Sequence, residues 1–388
     1  MIVFIDSGGH PKYLKTTVFT MTAMHADYAI LVIDSQDEIE CETNRLHLNL
    51  AFALELPVLV IINKIDLHTE SKVNQFIERT QNFISACCVF KNFKRSHVLR
   101  KEEDLEKFTK IPETEVQKNV PIFLISCVTG NGIDIFQKYL HYLKPTMSIS
   151  DKKMLMKRKT IFQIDETFRI PSVGLVVSGF LVSGRLKAQD VLKAGPLKDG
   201  SFVEVEVAGL QRHKVSRKFV VPGETSTLAL KSKQFNSKIK GQGGLERIIR
   251  RGMCLLSRKG NYQKNVCDHF AADIFLMPNS EPLTLKSQVM IFCENVRQRA
   301  TLIFVYDKDN LSKSNKKQSY EIESEKSFSN SLMSDTVQPN ETATVILQFN
   351  SQPEFLETGH RLLLQKSQTN AVGRIAYLNP ICPTIYQN

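Results

Sequence analysis

The first 148 residues set four short apolar runs, Ile2–Ile5, Tyr28–Ile33, Val58–Ile62 and Ile122–Ile125, between stretches whose apolar residues recur at helical spacing. Runs this short and this rich in Val and Ile read as buried parallel strands, and the segments between them as the helices that cover such a sheet. Leu14, Val18 and Met21 share one helical face, as do Leu46, Leu50, Ala53 and Leu54; Ile133, Phe136, Leu140 and Leu143 predict a third helix that ends before Pro145. Residues 91–119 are charged and lack a clear period, so an inserted excursion before the last strand is expected there. Past a basic linker, Asp151–Lys159, the pattern changes. From Ser172 to Gly184 glycines stand at 174, 179 and 184, where strands bend and turn, and barrel-like sequence continues to about Ser257 with one basic interruption, Lys231–Arg251. A second strand-rich region starts near Asp268 and is broken by a Ser/Lys/Glu/Asn-rich stretch, 307–341, expected to be a disordered insertion. The chain is thus expected to be multidomain, α/β plus β: an α/β domain at 1–148 with helices on both faces of a parallel sheet, then β-barrels at 149–259 and 260–388.

Charge follows the same division. Residues 1–148 carry 16 Lys+Arg against 18 Asp+Glu, whereas residues 152–259 carry 23 against 8, a local excess of +15 within a total of +11. That excess points to a polyanionic partner at the middle segment. No apolar run reaches the roughly 18 residues of a membrane helix, and the start MIVFIDSGG has no basic-then-apolar leader pattern. The eight cysteines form no C-x-x-C pair and no zinc-ligand spacing, and read as reduced thiols. A soluble, cytoplasmic, monomeric protein without a membrane partner is expected.

Three strand ends carry chemistry. Asn63-Lys64-Ile65-Asp66 directly follows Val58–Ile62, at the carboxyl end of a parallel strand, where open α/β sheets bind ligands. A carboxylate there can accept from guanine N1–H and the exocyclic amino group, donors that adenine does not offer in that pattern. The Asn amide can reach the other edge of the base and the Lys stem can cover its face. Asp6-Ser7-Gly8-Gly9-His10 follows Ile2–Ile5 as D-x-x-G with a trailing His, and Ser126-Cys127-Val128 follows the last apolar strand, where a backbone N–H can meet guanine O6. In a GTPase such an Asp holds Mg²⁺ through a water, the Gly amide meets the γ-phosphate and the His orients the attacking water.

These residues resemble a family. The segment FIDSGGHPKYLKTTVFTMTA is similar to switch II of the translational GTPases of the elongation factor Tu type, and most of all to that of the GTP-binding protein 1 and 2 group. PIFLISCVTGNGIDIF and IPSVGLVVSGFLVSGRLKAQD resemble that group's last G-domain strand and the opening of its second domain, and TGHRLLLQKSQTNAVGRI the closing strands of its third. The resemblance implies a P-loop-type G domain followed by two barrels, with GTP and GDP as ligands and Mg²⁺ as cofactor. It also implies GTP hydrolysis on the ribosome in elongation or rescue-type steps, and contact with the ribosome and with tRNA or other RNA through residues 152–259. Carried over, Asp6 would order Mg²⁺, Gly9 sense the γ-phosphate and His10 position water, while Asn63, Lys64, Asp66, Ser126, Cys127 and Val128 hold the base. Two departures stand out. Ser7-Gly8 replaces the Pro that many relatives carry before the second Gly, and no G-x-x-x-x-G-K-[ST] or assignable switch I Thr occurs in the 388 residues. The chain is therefore expected to be an N-terminally incomplete part of a GTPase; the alternative is a non-hydrolysing RNA- or ribosome-binding protein with a remnant G domain.

Overall fold

The computed structural model describes residues 2–87, 95–232, 244–307, 334–367 and 369–379. They fall into two compact units, residues 1–146 and 147–388. In the first unit β1 (Ala29–Asp34), β2 (Val58–Asn63), β3 (Arg95–Leu99) and β4 (Asn119–Leu124) make one parallel sheet in the order β1-β2-β4-β3. Five helices accompany them: α1 (Leu14–Ala23), α2 (Glu42–Ala53), α3 (Glu70–Ala86), α4 (Glu102–Thr109) and α5 (Ile133–Tyr142). The unbroken apolar run of β2 is what a strand covered on both faces requires. Val58, Val60 and Ile62 pack with Phe52 of α2 and Phe76 and Ile84 of α3, whereas Leu59 and Ile61 pack with Leu105 and Phe108 of α4 and Ile135 and Tyr139 of α5.

The structure corrects the sequence reading in three places. Ile2–Ile5 form no strand, and at 47, 59, 64 and 40 % exposure they bury little. A parallel strand needs a neighbour for its backbone groups, and among the described residues neither this segment nor the outer edge of β1 has one. Residues 95–118 are not an excursion, since they supply β3 and α4; β3 sits at the sheet edge with one neighbour, so Arg95-Ser96-His97-Val98-Leu99 needs little apolar character and buries only Leu99. The third helix stands as expected in α5, where Ile133, Phe136 and Leu143 pack beside the more deeply buried Ile135 and Tyr139, and the rings of Phe136 and Tyr139 close on Phe123 at 5.3 and 5.1 Å. The basic linker is largely helix, α6 (Ile149–Met156), which starts where the Ser148 hydroxyl accepts from the Asp151 N–H at 3.1 Å.

The second unit holds two closed six-strand barrels. β5 (Ile161–Ile170), β6 (Gly174–Ser183), β7 (Val191–Gly195), β8 (Val203–Arg212), β9 (Thr225–Lys231) and β10 (Cys254–Ser257) run in the order β8-β9-β6-β5-β10-β7, and pairing of β7 with β8 closes the ring. β11 (His269–Leu276), β12 (Gln288–Cys293), β13 (Val296–Asp307), β14 (Thr342–Phe349), β15 (Arg361–Lys366) and β16 (Thr369–Leu378) close the second in the order β11-β14-β13-β12-β15-β16. Closure leaves no open edge, and the alternate residues Val203, Val205 and Val207 of β8 fill the first barrel's interior. Within the basic interruption, 233–243 lie outside the described residues, but Leu245 and Ile249 are buried in the first barrel's core, so its last turn is packing rather than solvent loop. The expected disordered insertion lies mostly outside the described residues, at 308–333; past it, Thr336–Val337 pairs with Leu283–Thr284 and buries Val337.

The barrels are tied through polar contacts. Asn295 Nδ2 donates to the carbonyls of Ile164 at 3.3 Å and Met253 at 3.0 Å, and Arg250 Nη2 meets Glu354 Oε2 at 3.0 Å. Glu354 Oε1 also accepts from Gln298 Nε2 at 2.8 Å. Six described cysteines carry free thiols, and no helix among the described residues is long and apolar enough to cross a membrane.

Candidate functional site

β2 and β4 are neighbours and end side by side, which brings two of the three sequence motifs together. Ile125 N donates to Ile62 O at 2.8 Å and Ile65 N to Ile125 O at 3.4 Å, so the loops beyond the strands stay in register. The chain reverses at Lys64, whose φ of 64° is left-handed, a costly conformation for a residue with a Cβ. Its surroundings hold it there: Lys64 N donates to Asn63 Oδ1 at 2.8 Å and its carbonyl accepts from Ser35 Oγ at 3.0 Å. The reversal delivers Asp66 to the loop after β4, where Oδ1 accepts from Ser126 Oγ at 2.5 Å. Ser126 is fully buried, and its Oγ also accepts from Thr129 N at 3.1 Å. Asp66 itself is exposed, which leaves Oδ2 open to solvent.

The loop after β4 is shaped by Gly132. With φ at 74°, a Cβ there would stand 1.9 Å from the Leu124 carbonyl oxygen, so only glycine lets the segment fold back on the end of β4. That fold-back presents Cys127 and Val128 outward, Val128 at 85 % exposure, with Cys127 N directed to Asn63 Oδ1 at 3.4 Å. Asn63 therefore ties the two loops together. Lys64 Nζ forms an ion pair with Asp34 Oδ2 at the end of β1; the ammonium holds the Asp34 carboxyl below its usual range, and Asp34 in turn raises Lys64. Asp34 and Ser35 escaped the sequence reading, although their place just past a predicted strand end was the available signal. The arrangement is a donor–acceptor edge: an exposed carboxylate oxygen braced by a buried hydroxyl, with a backbone N–H about one loop away. A planar base with two adjacent N–H donors and a carbonyl matches it.

Asp6–His10 are placed differently. Their contacts are local, with Gly8 O accepting from Thr17 Oγ1 at 2.6 Å and His10 O accepting from Tyr13 N at 2.8 Å. Lys12 N donates to His10 Nδ1 at 3.1 Å, so the neutral imidazole carries its proton on Nε2, and the side chain is exposed. No described hydrogen bond or ion pair joins this loop to Asn63, Asp66 or Ser126. For Mg²⁺ the fit is thin: no group of three His, Cys, Asp or Glu among the described residues could hold a metal, so Asp6 offers one exposed carboxylate, suited to a water-mediated contact alone. A cleft of about 250 Å³ beside β1 is lined by Asp34, Asp37 and Glu38; its charge is the wrong sign for phosphate.

Residues 1–161 match the family of the elongation factor Tu GTP binding domain. GTP-binding protein 2 of Homo sapiens is 30% identical over 388 residues, 98% of this chain and 56% of that protein. GTP-binding protein 1 of Xenopus laevis is 30% identical over 378 residues, 97% and 50% respectively. The chain thus spans about half the length of the curated relatives it matches. Translation elongation factor SelB of Methanococcus maripaludis shares the fold, at 18% identity over 97% of this chain and 70% of that one, with a TM-score of 0.63 for its apo form and 0.60 for its complex with the GTP analogue GppNHp. The chain is thus similar to the translational GTPases of the elongation factor Tu type in residues 1–161 and in fold, and to the GTP-binding protein 1 and 2 group along nearly its whole length.

Proposed function

We propose that the chain binds guanine nucleotide and works in translation as a GTPase whose hydrolysis is triggered on the ribosome, in the cytoplasm, with RNA engaged by the basic first barrel. The observation that carries the proposal is the Asp66–Ser126 pair held across two strand ends. Asp66 Oδ1 is occupied by the Ser126 hydroxyl, so Oδ2 accepts from the base, while the Cys127 N–H exchanges its long 3.4 Å contact with Asn63 Oδ1 for the carbonyl O6. Lys64 lays its stem along the base face while its ammonium stays on Asp34. This chain's part in hydrolysis falls to His10. With Nδ1 occupied by the Lys12 N–H, its Nε2–H can donate to a water and orient it for attack on the terminal phosphate. Asp6 would hold Mg²⁺ through a water, and the ion would supply positive charge to the phosphates.

The test reads the base alone. Saturation-transfer NMR with GMP and AMP on the 388-residue chain is expected to show a guanine preference of about tenfold or more, lost in Asp66→Asn. Equal binding of GMP and AMP would remove the base site.

A further inference from the structure

We infer that one side of the first barrel is an RNA-binding ridge built from Lys157 and Arg158 at the end of α6 together with Arg185, Lys187, Arg217 and Lys218. It rests on the RNA-engaging part of the proposed function and says where that contact is made. The +15 excess of residues 152–259 divides into two kinds of cation. Arg212 pairs with Glu224 at 2.8 Å, Arg258 with Glu204 at 2.8 Å and Arg250 with Glu354 at 3.0 Å, so these are neutralised within the protein. The six ridge cations are all exposed, and none forms an ion pair among the described residues.

Backbone contacts make these six one surface. The end of α6 is fastened to the end of β6, where Gly184 N donates to Leu155 O at 2.9 Å and Ser183 Oγ to Lys159 O at 2.7 Å. Gly184 has φ at 82° and a Cβ on it would lie 2.5 Å from Thr160, so this close approach requires glycine. Directly after it, Leu186–Lys187 pairs antiparallel with Phe219–Val220. Leu186 and Val220 are fully buried in the barrel, so strand alternation turns Lys187 and Phe219 outward. Arg185 lies with its guanidinium 3.9 Å over the Phe219 ring, and Arg217 is held to β8 by its N–H to Leu210 O at 3.2 Å. The hairpin beside it turns through His213 and Lys214, both with positive φ, at 50° and 62°. Asn-Gly is the unstrained choice for such a turn; His-Lys accepts strain and keeps two more cationic or donor side chains at the tip.

The chemistry favours RNA over other polyanions. Unpaired cations along a fixed backbone track suit phosphates spaced along a strand, and a guanidinium held over an exposed ring sets a cation and an aromatic surface where a splayed base can stack. An acidic membrane surface would also draw the charge, and Phe219 is 44 % exposed beside Arg185, so phosphatidylserine vesicles are the competing ligand in the test.

Anisotropy titrations of a fluorescein-labelled RNA stem-loop with single-stranded flanks test the ridge. Arg185→Glu, Lys187→Glu, Arg217→Glu and Lys218→Glu combined are expected to weaken binding about thirtyfold or more at ~100 mM salt and to lower the log–log salt slope by about 3 to 4. Reversal of the same net charge on the first unit, Lys72→Glu, Lys107→Glu, Lys110→Glu and Lys118→Glu, is expected to change affinity by no more than about threefold. Phe219→Leu, which keeps the charge and the apolar anchor, is expected to cost about fivefold through the lost stack, and guards against a quadruple variant that fails to fold. RNA affinity retained in the quadruple variant and in Phe219→Leu overturns the ridge alone. An equal loss in the control reversal also overturns it, leaving the RNA reading standing. An unaltered chain that binds no RNA overturns both, and preference for phosphatidylserine vesicles over RNA gives the ridge to a membrane instead.

Discussion

Asp66 shows how far a single residue can be read in advance. Its type and its place after an apolar run mark it as a base acceptor, yet which of its oxygens stays available depends on Ser126, sixty residues on, whose hydroxyl occupies Oδ1. His10 is the reverse case: its neighbours in sequence, Lys12 and Tyr13, are also its contacts, so its tautomer follows from local structure. His10→Ala is expected to leave guanine binding unchanged and to slow ribosome-stimulated GTP hydrolysis by about a hundredfold; equal turnover in a stopped-flow assay would take His10 out of the chemistry. Nothing in the local sequence marks Asp165. It lies at a bulge in β5, Oδ1 has no described partner, and burial followed by the Glu166 charge pushes its carboxyl up to about 7 from an ordinary 3.8. Between those values the unfolded chain has released a proton that the folded chain keeps, so wild-type stability falls as pH rises across that window. Asp165→Asn is expected to stabilise by about 1 to 2 kcal/mol above pH 7 and by nothing below about pH 4. Urea unfolding at the two pH values checks this, and a gain equal at both would refute the ionisation argument.

At the scale of elements, legibility followed burial on two faces. Val58–Ile62 was plain because both faces of β2 are covered, whereas Arg95–Leu99 was missed because an edge strand can be polar and still pair. Ile2–Ile5 has the composition of a strand but pairs with no strand among the described residues. Helix α2 was located by the spacing of Leu46, Leu50, Ala53 and Leu54, but its buried set also includes Leu48 and Phe52, which stand outside that spacing. The loop after β4 depends on one glycine. Gly132→Ala sets a Cβ against the Leu124 carbonyl at a left-handed φ, and is expected to cost about 2 to 3 kcal/mol and to weaken GMP binding by displacing Ser126 and Cys127. Thermal unfolding together with the NMR titration would show it, and an unchanged melting temperature would mean that the loop relaxes around the methyl.

Across the second unit, the Arg250–Glu354–Gln298 cluster joins the barrels. Burial pushes the Glu354 carboxyl up to about 7 although Arg250 and Gln298 work to lower it. Removing Arg250 leaves that carboxylate buried without its charge partner. Arg250→Ala is expected to cost about 3 kcal/mol at pH 8 and clearly less at pH 5, where Glu354 holds a proton in the folded chain. A loss independent of pH would show that Arg250 contributes packing rather than charge. By itself the amino-acid sequence determined the change from α/β to barrel, the basic middle and the place of the candidate base-contacting residues at strand ends, because periodicity, glycine placement and short motifs act over a few neighbours. Only the tertiary structure decided that Asp66 faces Ser126, that the short Arg95–Leu99 run joins the sheet, that Arg250 meets Glu354, and which of the barrel's cations remain unpaired. Those contacts link residues far apart in the chain, and their energies exist only once the intervening chain has been ordered.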